Sequence, residues 1–474
     1  MKKRLYKCIL FFSFVIFYLT IFIKNKFNDM SFELLLYNIT NTSGANYSIV
    51  LDGFLYVFFF VFLTFILYFI LNKFKFFVRV RKIYLSLFCL FFSIIFLIFN
   101  LGIHKFLHNV LNTSNIFEEE FVDARDVSIT FNDKKRNLIY IFVESLEVSN
   151  FSLENGGLVK KSYTPNLEKM AIENVSFSNN GELGGALQIA GTEWTKAALV
   201  AHTSAAPLKF SFNQDNIGSL PGLYTLGDVL ADNGYKNYFM IGSDSNFGGR
   251  GEYFKTHGDY EIYDYDYAIE NGLVDSGYHV WWGYEDLKLF DFAKDKILEV
   301  SNDNEPFNFT ILTVDTHFTD GYMDSSCKDV FDKKYANAFY CSDSKIYDFV
   351  EWVKLQDFYD DTTIVIVGDH LTMQSNFYEY SDYDRVVYNA FINSKVLPIN
   401  AKNRLFTTFD MFPTTLASLG ADIEGERLGF GTNLFSDKKT LVEELGFDYF
   451  QNEISKHSNF YEREVLLNNK KGKM

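Results

Sequence analysis

Proline is scarce in this chain, 6 in 474 residues, and no internal repeat or low-complexity segment stands out. Length and composition therefore leave room for one large domain and a membrane part. Cysteine is scarce as well, with 4, and none has a CxxC partner or a neighbouring His. That disfavours a structural zinc site. Positive charge is missing from most of the chain. Residues 1–110 carry 12 Lys and Arg against 3 Asp and Glu, whereas the remainder carries 32 against 57. An acidic domain without basic runs repels phosphate backbones, which argues against nucleic acid as a partner.

What the chain has in abundance is Phe and Tyr, 53 and 30 of them, and long apolar runs near its start. Three stretches, about 5–23, 49–71 and 83–103, approach the ~20 residues that a spanning helix needs. The first is followed too closely by further spans, and is too poor in small residues at its end, to be a removed signal peptide. Lys2, Lys3 and Arg4 precede it, and Lys73, Lys75, Arg79, Arg81 and Lys82 lie between the second and third stretches. The positive-inside rule puts both clusters, and the N-terminus, in the cytoplasm. Lys24 and Lys26 run against the rule but are outnumbered. The expectation is a multi-pass, membrane-embedded protein. Residues 1–104 form the transmembrane region, 105–135 a connecting segment, 136–450 an extracytoplasmic domain and 451–474 a frayed C-terminal tail.

Within that domain, four apolar runs end on polar residues. LIYIFV runs into Glu144, YFMIG into Ser243 and Asp244, FNFTILTV into Asp315 to His317, and TIVIVG into Asp369-His370. Continuous apolar runs of this length read as strands covered on both faces. They alternate with helical patterns at Pro165 to Glu173, Thr225 to Asn233, Asp286 to Val300 and Ser344 to Leu355. The pattern predicts a layered α/β domain with a mostly parallel central sheet, whose ligands collect at the carboxyl ends of the strands.

Glu144, Asp369 and His370 offer two carboxylates and one imidazole at strand ends. Alone, each is as readily a helix cap or a surface group. Together they suit one divalent cation of intermediate hardness, Mn²⁺ or Mg²⁺. Gly191-Thr192-Glu193-Trp194-Thr195 precedes the Ala-rich stretch Lys196 to Ala201, which reads as a helix start. Thr192 is then either an N-cap, with Thr195 or Ser204 as further caps, or a nucleophile activated by the cation and the helix N-terminus. The second reading is preferred because the metal set has no other nucleophile. Of the eight histidines only His317 and His370 lie at strand ends, and His202 and His257 read as packing or surface residues. Cys8 and Cys89 fall inside spans as small apolar fillers. Cys327 and Cys341, on an exported loop rich in Asp, Ser and Tyr, are either a disulfide or two free thiols.

The strings NLIYIFVESLE, AGTEWTKAALV, VDTHFTDG, VGDHLTM and FDMFPTTLASLG resemble the alkaline phosphatase and sulfatase superfamily. Within it they resemble most closely the phosphoglycerol transferase I enzymes, relatives of lipoteichoic acid synthase, from about Asn137 to Phe435. The resemblance implies a sulfatase-like catalytic domain outside the bacterial cytoplasmic (inner) membrane. It implies that Glu144, Thr192, Asp369 and His370 bind one Mn²⁺-like ion, and that Thr192 is the nucleophile, forming a phosphoglycerol-threonine intermediate. His317 would contact the phosphoglycerol and move protons. Arg250, in NFGGRGEYF, would bind the phosphate or glycerol end through its guanidinium fork. Cys327 and Cys341 resemble cysteines placed in the same loop of the transferase, which implies a disulfide. The implied donor is phosphatidylglycerol, the acceptor a periplasmic glucan or other oligosaccharide, and the released product diacylglycerol.

Two features depart from the pattern. Related synthases carry a tryptophan near the arginine, where Gly248 and Gly249 stand here. Trp281 and Trp282 either supply an apolar wall instead or are core, and core is the preferred reading. Rival functions are synthesis of a polyglycerolphosphate polymer, phosphoethanolamine transfer, or a tethered binding protein that kept the fold without the chemistry. The last predicts a missing ligand or nucleophile, and none is missing. A sulfatase-like hydrolase needs Cys or Ser matured to formylglycine at position 192, which threonine cannot supply.

Overall fold

The computed structural model describes residues 2–27, 31–40, 48–73, 82–131, 134–211, 216–303, 305–379 and 383–468. The chain separates into two compact units, residues 1–112 with Met373–Ser375, and the remainder.

The first unit is helical. Helices Lys2–Phe27, Ser48–Lys73 and Lys82–Asn100 contain segments Leu5–Lys26, Val50–Ile70 and Lys82–Asn100, each long and apolar enough to cross a membrane. Their outer surfaces expose Phe54, Phe58 and Phe88, which suits lipid rather than water. Inward contacts include Phe17 against Phe96, with ring centroids 4.8 Å apart, and Tyr18 bonded to Thr64 at 2.6 Å. The third helix stops at Asn100, short of the expected 103, because Gly102 takes a left-handed φ of 67° before a separate helix, Ile103–Leu111. Of the expected cytoplasmic cluster, Lys75, Arg79 and Arg81 lie outside the described residues.

The second unit is a layered α/β domain. Its strands include β1 (Ile129–Thr130), β2 (Asn137–Val143), β3 (Lys236–Ile241), β4 (Glu261–Tyr263), β5 (Phe307–Leu312), β6 (Thr362–Gly368), β7 (Asn389–Ile392) and β8 (Asp422–Ile423). Six of them form one sheet in the order β4-β3-β5-β2-β6-β7, all parallel except β7, which runs antiparallel to β6. Leu138 to Val143 are at most 1% exposed, so β2 is covered on both faces. Ile139, Ile141 and Val143 pack with Ile297 and Phe349 of helices Asp286–Val300 and Lys334–Lys354. On the other face, Phe142 meets His202 of helix Thr195–Ser204 with ring centroids 5.4 Å apart.

Register fixes where the strands end. Phe142 is level with Leu312, Val143 with Gly368, and Ile241 with Leu312. The residues following β2, β3, β5 and β6 therefore emerge along one edge of the sheet.

Three boundaries differ from expectation. The segment 105–135 is more than a connection: Ile116 and Phe117 are buried, and β1 pairs with β8. Residues 451–468 are not a frayed tail, since Ile454, Tyr461, Val465 and Leu466 are each at most 1% exposed. Cys341 lies not on a loop but within helix Lys334–Lys354, which begins ten residues earlier than the expected Ser344.

Candidate active site

Glu144 is the first residue past β2, and the backbone around it is locked from both sides. Its N–H donates to Thr313 Oγ1 at 3.1 Å, and its carbonyl accepts from the Thr316 hydroxyl. Ser145 follows with φ at 59°, a left-handed value that costs a non-glycine residue energy and persists where surroundings enforce it. Here the enforcement is visible. Ser145 donates its hydroxyl to Glu144 Oε1 at 2.8 Å and its N–H to Asp369 Oδ1 at 2.7 Å, tying the ends of β2 and β6 together.

Asp369 Oδ1 also accepts the His370 N–H at 2.7 Å. His370 Nδ1 is bonded to Leu371 O at 2.8 Å, which leaves Nε2 on the carboxylate side, 3.4 Å from Glu144 Oε1 and 3.5 Å from Asp369 Oδ2. The three groups are buried, and one ligand atom from each lies within 4.8 Å of the others. Among the described residues, Asp369 Oδ2 and His370 Nε2 have no hydrogen-bond partner. Two orphaned atoms aimed at a third ligand fit a cation between them, and two oxygens with one nitrogen fit Mn²⁺, Mg²⁺ or a similar ion.

The electrostatics agree. Burial raises the Asp369 carboxyl, and neighbouring Glu144 raises it further. Burial works in the same direction on Glu144, but the His317 and His370 imidazoles outweigh it and hold that carboxylate well below the usual range. Burial lowers the His370 imidazolium, yet the two carboxylates more than reverse this. The cluster thus demands positive charge in its midst.

The threonines divide differently from the expectation. Thr192 is fully buried and turns back on its own loop, donating its hydroxyl to Ile189 O at 2.7 Å and accepting the Ile189 N–H at 3.2 Å. Both of those bonds hold its oxygen in a turn of its own loop. Thr195 is brought to Glu144. It is the first residue of helix Thr195–Ser204, and its Oγ1 donates to Glu144 Oε2 at 3.0 Å.

Thr195 and Glu144 line a cavity with Ser243, Phe247, Arg250, Trp282, Leu312, Thr313, Val314 and His317. His317 Nδ1 is bonded to Phe318 O at 2.6 Å, and its ring lies 4.8 Å from that of Trp282. Burial lowers the His317 imidazolium, and Glu144 partly restores it. Arg250 opens helix Arg250–Thr256; its Nη2 donates to Asp244 O at 2.8 Å and Ser243 Oγ at 3.2 Å, and its guanidinium lies 5.4 Å from the Phe247 ring centre. Trp282 is therefore wall rather than core, whereas Trp281, at φ 53°, donates its indole N–H to Val314 O at 3.1 Å.

Asp315 takes no part in the cavity. It accepts from Lys345 Nζ at 2.7 Å, and Lys345 also pairs with Asp324 at 2.5 Å, which anchors the loop after β5 to helix Lys334–Lys354. Cys327 and Cys341 are joined by a disulfide that fastens the same loop to the same helix. Ser145 escaped sequence reasoning, while Thr195 was read as a cap and Trp282 as core. Thr195 had a signal in its place directly before KAALVA; Ser145 and Trp282 had none strong enough to separate them from core.

The sulfatase family model matches residues 136–421. The phosphoglycerol transferase I of Escherichia coli O6:K15:H31 is 33% identical over 266 residues, covering 54% of this chain and 33% of that protein. Its counterpart in Escherichia coli O157:H7 is 32% identical over the same extent. The chain thus spans about a third of the length of the curated relatives it matches. Among solved structures, the lipoteichoic acid synthase LtaP of Listeria monocytogenes aligns with a TM-score of 0.52 at 19% identity, covering 68% of this chain and 81% of that one. The lipooligosaccharide phosphoethanolamine transferase A of Neisseria meningitidis aligns at 0.51 and 14% identity, covering 87% and 83%. At these identities the two structures share a fold with this chain.

Proposed function

The chain belongs to the sulfatase family, and from that premise we propose that it is a membrane-bound phosphotransferase that moves phosphoglycerol from phosphatidylglycerol to a hydroxyl of an extracytoplasmic glucan or oligosaccharide. The observation that carries this reading is the Thr195 hydroxyl, bonded to Glu144 at the metal-ligand cluster, in one cavity with His317 and Arg250. The curated relatives' name, phosphoglycerol transferase I, supports the choice of transferred group.

Glu144, Asp369 and His370 would hold the divalent ion, with Thr195 beside them. When bound, that ion supplies neutralising charge for the phosphate oxygens and lowers the pKa of a neighbouring hydroxyl. Mn²⁺ is the ion we favour.

Everything else falls to the chain's own groups. In the first displacement, Thr195 Oγ1 loses its proton along the hydrogen bond to Glu144 Oε2 and forms a bond to phosphorus. The bond from phosphorus to the diacylglycerol oxygen breaks, and that oxygen takes a proton from the His317 imidazolium. In the second, the acceptor hydroxyl gives its proton to the now neutral His317 and bonds to phosphorus, while the Thr195 Oγ1–phosphorus bond breaks and Thr195 Oγ1 takes back the proton held on Glu144 Oε2. Arg250 holds a phosphate oxygen throughout, as a guanidinium already locked by Ser243 and Asp244 can do without reorganising. The helix beginning at Thr195 aims its first N–H groups at the same charge. We further propose that the N-terminus is cytoplasmic and the catalytic unit lies outside the inner membrane.

The test is purified full-length chain with Mn²⁺, phosphatidylglycerol labelled in its headgroup, and separate glucan, polyglycerolphosphate and lipid A acceptors. Diacylglycerol release with label on the glucan supports the proposal. Label on the polymer or on lipid A instead of the glucan, or no diacylglycerol release, contradicts it.

A further inference from the structure

Lys196 is a buried amine-bearing side chain that the mechanism above leaves without a task. It follows Thr195 in helix Thr195–Ser204, and successive helical residues face directions about 100° apart. One side chain therefore reaches Glu144 while the next leaves on another side. Lys196 is 3% exposed. Its Nζ donates to Gly249 O at 2.7 Å and to Gly218 O at 2.9 Å, and lies 4.4 Å from the centre of the Tyr253 ring. Gly249 immediately precedes Arg250, and Tyr253 lies one helical turn after it. The contacts of Lys196 thus bracket Arg250 in the chain.

Within the loop so bracketed, Gly249 N–H donates to Asn246 O at 2.9 Å and Gly251 N–H to Ser245 O at 2.8 Å, so its own bonds shape the turn while Lys196 ties it to the helix. Gly248 and Gly249 have no side chains to pack, and both sit at left-handed φ values, 66° and 69°. Burial drives the Lys196 ammonium well below its usual pKa. Two carbonyl acceptors are nevertheless served by two N–H groups whether or not the third proton is present, so the anchor does not depend on charge.

We propose that Lys196 is a positioning residue: it couples the helix that presents the Thr195 nucleophile to the loop that presents Arg250, and so sets the distance between attacking oxygen and phosphate-binding guanidinium. This rests on the reading of Arg250 as a phosphate-binding group. A side chain in this role acts through Arg250 alone, which separates it from one that merely fills space.

The experiment is a double-mutant cycle on the full-length protein with phosphatidylglycerol in detergent micelles, following diacylglycerol release, using Lys196→Met, the milder Lys196→Gln, Arg250→Ala and Lys196→Met/Arg250→Ala. A guanidinium misplaced by about 1 Å weakens its contribution up to ~100-fold, so Lys196→Met raises KM at least about tenfold with a smaller fall in kcat. Lys196→Gln shows the same split to a lesser degree and reports alone if the methionine variant does not fold. The double variant is no worse than Arg250→Ala, because the lysine has nothing left to position. Losses that multiply in the double variant, or a KM unchanged in both Lys196 variants, overturn the inference. Arg250→Ala with a normal KM overturns instead the reading of Arg250 on which it rests.

Discussion

Thr195 and Glu144 meet across two elements that are 51 residues apart in sequence: a hydroxyl on the first turn of a helix donates to the carboxylate at the end of the sheet's β2, at 3.0 Å. That contact selects one threonine of the GTEWT motif over the other. In the proposed mechanism it also makes the metal-ligand cluster and the nucleophile a single unit, so that loss of either should be felt at the other.

Metal binding should stabilise the fold. A ligand that binds only the folded state at 100 times its Kd contributes about 2.7 kcal/mol. Mn²⁺ added to chelator-treated protein is expected to raise Tm for the parent and for Thr192→Ala, and to leave Asp369→Asn and His370→Ala unmoved. A full Tm rise in those last two variants contradicts the ligand set.

Arg385 should be costly to remove although it sits outside the cavity. Its guanidinium forms a two-pronged pair with the fully buried Glu147, and its Nη2 also holds Thr372 O, two residues past His370. Arg385→Ala leaves that carboxylate buried and unpaired, which typically costs about 3–5 kcal/mol. Urea unfolding measures it, and a loss below about 1 kcal/mol contradicts the assignment.

Stability should fall as pH rises through neutrality, and Asp343 should account for part of the fall. It is fully buried, and burial pushes its carboxyl up to about 7 against three N–H donors from Asn166 and Leu167. Its folded pKa exceeds the ordinary value of about 3.9, so the folded state holds the proton longer than the unfolded chain. The resulting stabilisation is complete below about pH 4 and is lost as pH climbs through about 7. Between pH 5 and 7.5 the parent should lose more stability per pH unit than Asp343→Asn, by at most roughly 1.4 kcal/mol per unit. Equal slopes contradict it.

The Cys327–Cys341 bond closes a 14-residue separation between the loop after β5 and helix Lys334–Lys354. Loop-closure entropy for this length is about 3 kcal/mol. The paired Cys327→Ser/Cys341→Ser variant should lose stability of that order in chemical denaturation, and an unchanged midpoint contradicts a structural role.

The ends of the strands were legible because burial on both faces forces unbroken apolar runs, and parallel register then delivers their last residues to one edge. Glu144, Asp369, His370 and His317 could be found on that ground. β7 was not legible: NAFI is four residues long, and its antiparallel pairing depends on a partner far away in sequence. Thr192 and Thr195 could not be separated by pattern either. Both are hydroxyls ahead of the same helix, and the choice turns on whether the side chain bonds back to Ile189 or forward to Glu144. The Trp pair illustrates the same limit, since composition favours core for both while both are half-buried and Trp282 lines the cavity.

The central claim is that Thr195 carries the phosphoglycerol. Thr195→Ala and Thr192→Ala should be compared side by side, with headgroup-labelled phosphatidylglycerol, Mn²⁺ and no acceptor, and the peptide bearing residues 191–196 analysed for a covalent adduct. Thr192→Ala is expected to keep the adduct on Thr195 and to lose only about 1 kcal/mol of stability from its local hydrogen bonds. Thr195→Ala is expected to lose both adduct and diacylglycerol release. An adduct on Thr192, persisting in Thr195→Ala and abolished in Thr192→Ala, would contradict the account.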